Sequence, residues 1–92
     1  MGDKKKVLVV DGDARLIALA RGIFDADYEV HTAPDGATGL KKAKEIIPDL
    51  ILLDVTIPGM TVLDFARELS ACRETACIPI IVDQIDLLQT LK

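Results

Sequence analysis

Pro48-Asp49-Leu50-Ile51-Leu52-Leu53-Asp54-Val55-Thr56-Ile57-Pro58-Gly59-Met60 is the stretch that decides the fold. Pro48-Asp49 ends the helix that precedes it. Leu50 to Leu53 is wholly apolar, four residues long, and stops at Asp54. A short run with no polar alternation reads as a strand buried on both faces. Val55 to Gly59 is a loop, with Pro58-Gly59 as its turn signal.

Working toward the N-terminus, the same pattern recurs. Val7-Leu8-Val9-Val10 is apolar, largely β-branched, and ends in Asp11-Gly12-Asp13. Asp13 can cap a helix from about Ala14 to Phe24, with Leu16, Leu19, Ala20 and Ile23 at helical spacing. Tyr28 to Ala33 alternates, as a strand with one wetter face does at a sheet edge. His31 reads as an exposed strand residue, with no partner motif near it. Pro34-Asp35-Gly36 breaks the strand, and Asp35 caps a second helix running from Gly36 or Ala37 to Ile47. Ala37, Leu40, Ala43 and Ile47 are expected inward, and Lys41, Lys42, Lys44 and Glu45 outward.

Toward the C-terminus, a third helix is expected from about Thr61 to Ala71, with Val62, Phe65, Ala66 and Leu69 inward. Arg73 to Cys77 connects it to a fourth strand, Ile78 to Val82, whose proline sits near the start, where a missing donor is tolerated. Asp86 to Lys92 has the length of two turns of a last helix. Strands alternating with helices predict an α/β, doubly wound parallel sheet covered on both faces.

Composition narrows the function. A net charge of -4 argues against a nucleic-acid groove, and the Lys4-Lys5-Lys6 cluster reads as a solvated lead-in to the first strand. No apolar run is long enough for a signal peptide or a membrane span, so a cytoplasmic location and reduced thiols at Cys72 and Cys77 are expected. Only Phe24, Tyr28 and Phe65 are aromatic, so the core must be aliphatic.

Two apolar strands end in carboxylates, at Asp11 and Asp54. In a parallel sheet both ends lie on one edge, and neighbouring strands would bring the two acids together. Clustered carboxylates repel, and oxygen-only ligands suit Mg²⁺ or another hard divalent cation. A carboxylate beside such a cation can act as a nucleophile toward phosphorus. The bland alternative is that Asp11 and Asp13 cap a helix and Asp54 ends a strand; spacing alone leaves both open.

The segments Val7 to Asp11, Asp35-Gly36, Pro48 to Met60 and Ile78 to Val82, in that order, resemble the receiver domains of bacterial two-component signalling. The resemblance implies a flavodoxin-like sheet of order 2-1-3-4, lacking the family's fifth strand and last helix. Residues 1–92 then read as a single receiver-like domain, C-terminally truncated. It implies Asp54 as the phosphoacceptor, Asp11 and Asp54 as Mg²⁺ ligands with the Thr56 carbonyl, and Gln84 at the switch position. A sensor histidine kinase would be the partner. The domain would have no enzymatic turnover of its own.

The chain departs from the family at several places. The acidic pair reads Asp11-Gly12, so one carboxylate is missing; Asp13 lies one residue too late and should point elsewhere. Thr61-Val62 stands where Asp-Gly is usual, Gln84 stands where Ser or Thr is usual, and Asp83 adds negative charge nearby. No residue replaces the family's lysine. These departures predict impaired phosphotransfer, or a pseudo-receiver serving as an interaction module. A metal-dependent hydrolase on a similar sheet would want a second aspartate where Thr56 stands, and ranks last. The apolar fourth strand, Ile78 to Val82, is expected to pair with a second copy as a homodimer.

Overall fold

A computed structural model describes residues 4–83. Seven elements follow one another: β1 (Lys5–Val10), α1 (Ala14–Phe24), β2 (Tyr28–Ala33), α2 (Gly36–Ile46), β3 (Leu50–Asp54), α3 (Val62–Ser70) and β4 (Ile80–Asp83). The four strands form one parallel sheet in the order β2-β1-β3-β4. The expected 2-1-3-4 order is therefore observed. Val10 of β1 sits opposite both Ala33 and Leu53, and Asp54 is in register with Asp83.

The chain winds from β1 outward to β2, then crosses back over β1 to β3 and β4. Right-handed crossovers place helices reached in opposite directions on opposite faces. Two apolar clusters result. Leu8, Val10, Ile51 and Leu53 pack with Leu40 and Ala43 of α2 and with Phe65 and Leu69 of α3. Val7, Val9 and Val30 pack with Ala20 of α1, flanked by Ile17, Phe24, Tyr28, Leu50 and Leu52. Phe24 and Tyr28 meet edge to face, with ring centroids 5.5 Å apart.

Helix ends follow their cap chemistry. Asp13, Asp35 and Thr61 each accept a backbone N–H of the first turn, from Arg15, Thr38 and Asp64 respectively. At the other end of α3, the buried Thr75 hydroxyl donates to the Leu69 carbonyl at 2.7 Å.

Four local expectations are corrected. On α1, Leu19 and Ile23 face solvent at 53% and 62% exposure, and the inward stripe is Ile17, Ala20 and Phe24. On α2, Ala37 is exposed and the buried positions are Gly36, Gly39, Leu40 and Ala43. The helix stops at Ile46; Ile47 is its cap, in the left-handed region at φ 47° and largely outside the core. Pro48 follows it and denies Ile47 the helical conformation. Finally, β4 begins at Ile80, because Ile78 still belongs to the turn in which its N–H donates to the Thr75 carbonyl.

Glycine has a packing reason in α2. A Cβ on Gly39 would lie 2.8 Å from a Val10 methyl carbon and 3.2 Å from the Phe65 ring. A Cβ on Gly36 would lie 2.5 Å from Met60 Cγ. Both contacts pull α2 onto the sheet and against the β3–α3 loop, beside the carboxyl ends of the strands.

Candidate functional site

The strand order reverses between β1 and β3, and ligands in such folds bind outside the carboxyl ends of the strands at that switch point. Asp11 follows the last residue of β1, and Asp54 is the last residue of β3. Their strands are hydrogen-bonded neighbours through Val10 and Leu53, about 5 Å apart. The two acids expected to converge are thus on adjacent strands at the carboxyl end of the sheet. Both are buried, at 3% and 6% exposure.

Local turns fix each carboxylate. The Asp13 N–H donates to Asp11 Oδ1 at 2.8 Å, and the Thr56 N–H donates to Asp54 Oδ1 at 3.0 Å. Aspartate bonding to the backbone two residues on is the Asx-turn that strand-ending acids favour. Around them the loops are tied together. The Asp11 N–H donates to the Ala33 carbonyl, and the Gly36 N–H donates to the Pro58 carbonyl. Ile57 is buried beneath the β3–α3 loop.

Asp13 does not substitute for the acid missing at Gly12. Its Oδ1 caps α1 through Arg15 N–H, and its Oδ2 meets Arg15 Nη2 at 3.2 Å. The guanidinium and backbone N–H of Arg15 hold the Asp13 carboxyl below its ordinary value. The Thr38 N–H does the same for Asp35 at the start of α2. A carboxylate with a lowered folded value stabilises the fold above its unfolded value, near pH 3.9, and that contribution disappears as pH falls through the folded value. That contribution should therefore be complete from neutral pH to about pH 5 and be lost below about pH 4. Urea midpoints across that range test it, and Asp35→Asn, which caps without titrating, should flatten the acid limb.

Thr56 was expected to matter only through its carbonyl. Its hydroxyl also donates to Asp54 Oδ2 at 2.9 Å, a local contact between residues two apart. Gln84 lies outside the described residues. Of the remaining polar candidates, His31 pairs with Glu29 at 2.6 Å on β2, remote in the strand order from β3. Cys72 and Cys77 are free thiols in the α3–β4 connection. Among the described residues, no three His, Cys, Asp or Glu side chains are grouped to hold a metal. Two buried carboxylates on adjacent strands nevertheless supply oxygen donors only. They fit Mg²⁺, which keeps several waters and takes one or two protein carboxylates.

The profile of the response regulator receiver domain matches residues 7–87. The chain belongs to the receiver family. The receiver is 40% identical over 78 residues to the response regulator PleD of Caulobacter vibrioides, covering 84% of this chain and 17% of that protein. It is 45% identical over 69 residues to the transcriptional regulatory protein PrrA of Mycobacterium tuberculosis, covering 74% and 28%. The chemotaxis response regulator CheY4 of Vibrio cholerae superposes with a TM-score of 0.80 at 33% identity, covering 87% of this receiver and 68% of that chain. The receiver spans 17 to 28% of the length of these two relatives. Receiver domains of response regulators act in phosphorelay signalling with sensor histidine kinases. No helix among the described residues is long and apolar enough to cross a membrane.

Proposed function

We propose that residues 1–92 act as one receiver unit whose phosphoacceptor is Asp54, with phosphotransfer slowed by an incomplete acidic site. The position of Asp54 carries this reading: it is the last residue of β3, buried, and beside Asp11 at the switch point. A carboxylate oxygen of Asp54 attacks the phosphorus of a phosphohistidine on a sensor histidine kinase. The O–P bond forms as the P–N bond breaks, and the electron pair of that bond leaves with the imidazole. Asp11, Asp54 and the Thr56 carbonyl would hold Mg²⁺, which when bound offsets charge on the phosphoryl oxygens. Gln84 would stand at the switch position. The acyl phosphate can be trapped by borohydride reduction after treatment with phosphoramidate and Mg²⁺. The converted residue should map to position 54, and conversion elsewhere or nowhere would count against the assignment.

A non-phosphorylated interaction module is the second reading, favoured by the missing carboxylate at Gly12. The two outer strands offer different edges for such a role. On β2, the Lys42 ammonium donates to the Thr32 carbonyl and Glu29 pairs with His31, so the edge is charged and partly blocked. On β4, Ile81 and Val82 are 52% and 43% exposed. An apolar edge is a template for another strand, and a two-fold pair joins it to its own copy, running antiparallel. We expect a homodimer through β4 at high micromolar concentration by sedimentation, shifted to monomer by Ile81→Lys. A monomer at that concentration would contradict it.

A further inference from the structure

One residue occupies both oxygens of the Asp54 carboxylate. The Thr56 N–H donates to Oδ1 and the Thr56 hydroxyl to Oδ2. The two bonds are chemically different. Any residue except proline supplies the N–H, so the Oδ1 bond belongs to the turn. The Oδ2 bond belongs to the side chain and is lost with the hydroxyl. Asp54 is buried, whereas Thr56 is exposed, so one turn about the Thr56 side chain exchanges the carboxylate for water.

The nucleophile needs a lone pair directed at phosphorus, and a hydrogen bond to that oxygen both occupies the approach and withdraws electron density. We infer that the Thr56 hydroxyl is a latch on the nucleophile, closed in the unphosphorylated receiver and opened before phosphoryl transfer. This inference rests on the reading of Asp54 as phosphoacceptor. With phosphoramidate as donor, an Asp54 oxygen forms the O–P bond while the P–N bond breaks. The nitrogen leaves as ammonia, carrying the bonding pair and the protons it already held. With Oδ2 as the attacking oxygen, the hydroxyl leaves it before the O–P bond forms and is then free to meet an oxygen of the new phosphoryl group. A charge-assisted bond of this kind is strong enough to restrain the rate by about tenfold.

Thr56→Val keeps the shape, the N–H and the carbonyl and removes only the O–H; Thr56→Ser restores it. The three proteins are incubated with phosphoramidate and Mg²⁺, and the phosphate adduct is followed by intact mass. Mg²⁺ alone is titrated by calorimetry in parallel. The latch predicts that Thr56→Val gains the adduct about tenfold faster than the parent with an unchanged affinity for Mg²⁺, because the freed Oδ2 is the attacking oxygen and not the metal ligand. Thr56→Ser should track the parent. Equal or slower phosphorylation of Thr56→Val, with an Asp54-dependent adduct in the parent, overturns the latch alone. No adduct in any of the three overturns both the latch and the phosphoacceptor assignment.

Discussion

Gly12→Asp is expected to tighten Mg²⁺ binding on the order of thirtyfold. A Cβ on Gly12 would lie 3.4 Å from the Pro34 carbonyl oxygen and 3.9 Å from Pro58 Cδ, ordinary contacts that displace nothing. Gly12 is exposed, so a carboxylate there can be solvated or turned toward Asp11. One added negative charge about 4 Å from a divalent cation gains about 2 kcal/mol even at the dielectric of water. Each 1.4 kcal/mol is a factor of ten, which sets the expected gain. The same charge raises repulsion among Asp11, Asp13 and Asp54 when no cation is present. Gly12→Asp should therefore be less stable than the parent in chelator and should recover with added Mg²⁺. Calorimetry and thermal melts at several Mg²⁺ concentrations read both effects. An unchanged affinity would mean that a carboxylate at position 12 does not reach a cation held by Asp11 and Asp54.

Phe65→Ala is expected to cost about 3–5 kcal/mol. Phe65 is fully buried on the inner face of α3, in the cluster that joins α2 and α3 to β1 and β3. Its ring also touches the space above Gly39, where α2 comes closest to the sheet. Truncation removes the only aromatic ring in that cluster and leaves a cavity that aliphatic neighbours cannot close without moving α2. Small domains have about 5–15 kcal/mol of stability, so the loss approaches the whole for a chain of this size. Leu63, 58% exposed on the same helix, is the control: Leu63→Ala should change stability by less than about 0.5 kcal/mol. Urea unfolding followed by helical circular dichroism compares the two. Similar midpoints would show that α3 does not pack as described.

The parts of the fold that were legible from sequence are those written in local chemistry. The apolar runs Val7–Val10 and Leu50–Leu53, each stopped by aspartate, specify buried parallel strands, and Asp13 and Asp35 announce the helices that they cap. The face of α1 was not legible. Its apolar residues 16, 17, 19, 20, 23 and 24 support two stripes at helical spacing, and only the sheet selects Ile17, Ala20 and Phe24. On α2 the closest approach to the sheet is made by Gly36 and Gly39, which a search for hydrophobic positions passes over. The start of β4 was lost to the turn around Thr75, whose buried hydroxyl holds the preceding segment against the end of α3.

The candidate site divides in the same way. Asp11 and Asp54 could be placed on one sheet edge from strand order alone, because parallel strands share their carboxyl ends. That Asp13 is committed to α1 follows from its cap position, and its bonds to Arg15 agree. The hydroxyl of Thr56 on Asp54 could not be read, because side-chain rotamers at a strand end are decided by what surrounds them. A threonine two residues after a strand-ending aspartate is compatible with many arrangements, of which this is one.

The central claim, that Asp54 carries the phosphoryl group, is tested most directly by intact mass. The parent and Asp54→Asn are incubated side by side with phosphoramidate and Mg²⁺. A mass gain of one phosphoryl group in the parent and none in Asp54→Asn is the predicted result. The same gain in both proteins, or in neither, would contradict it.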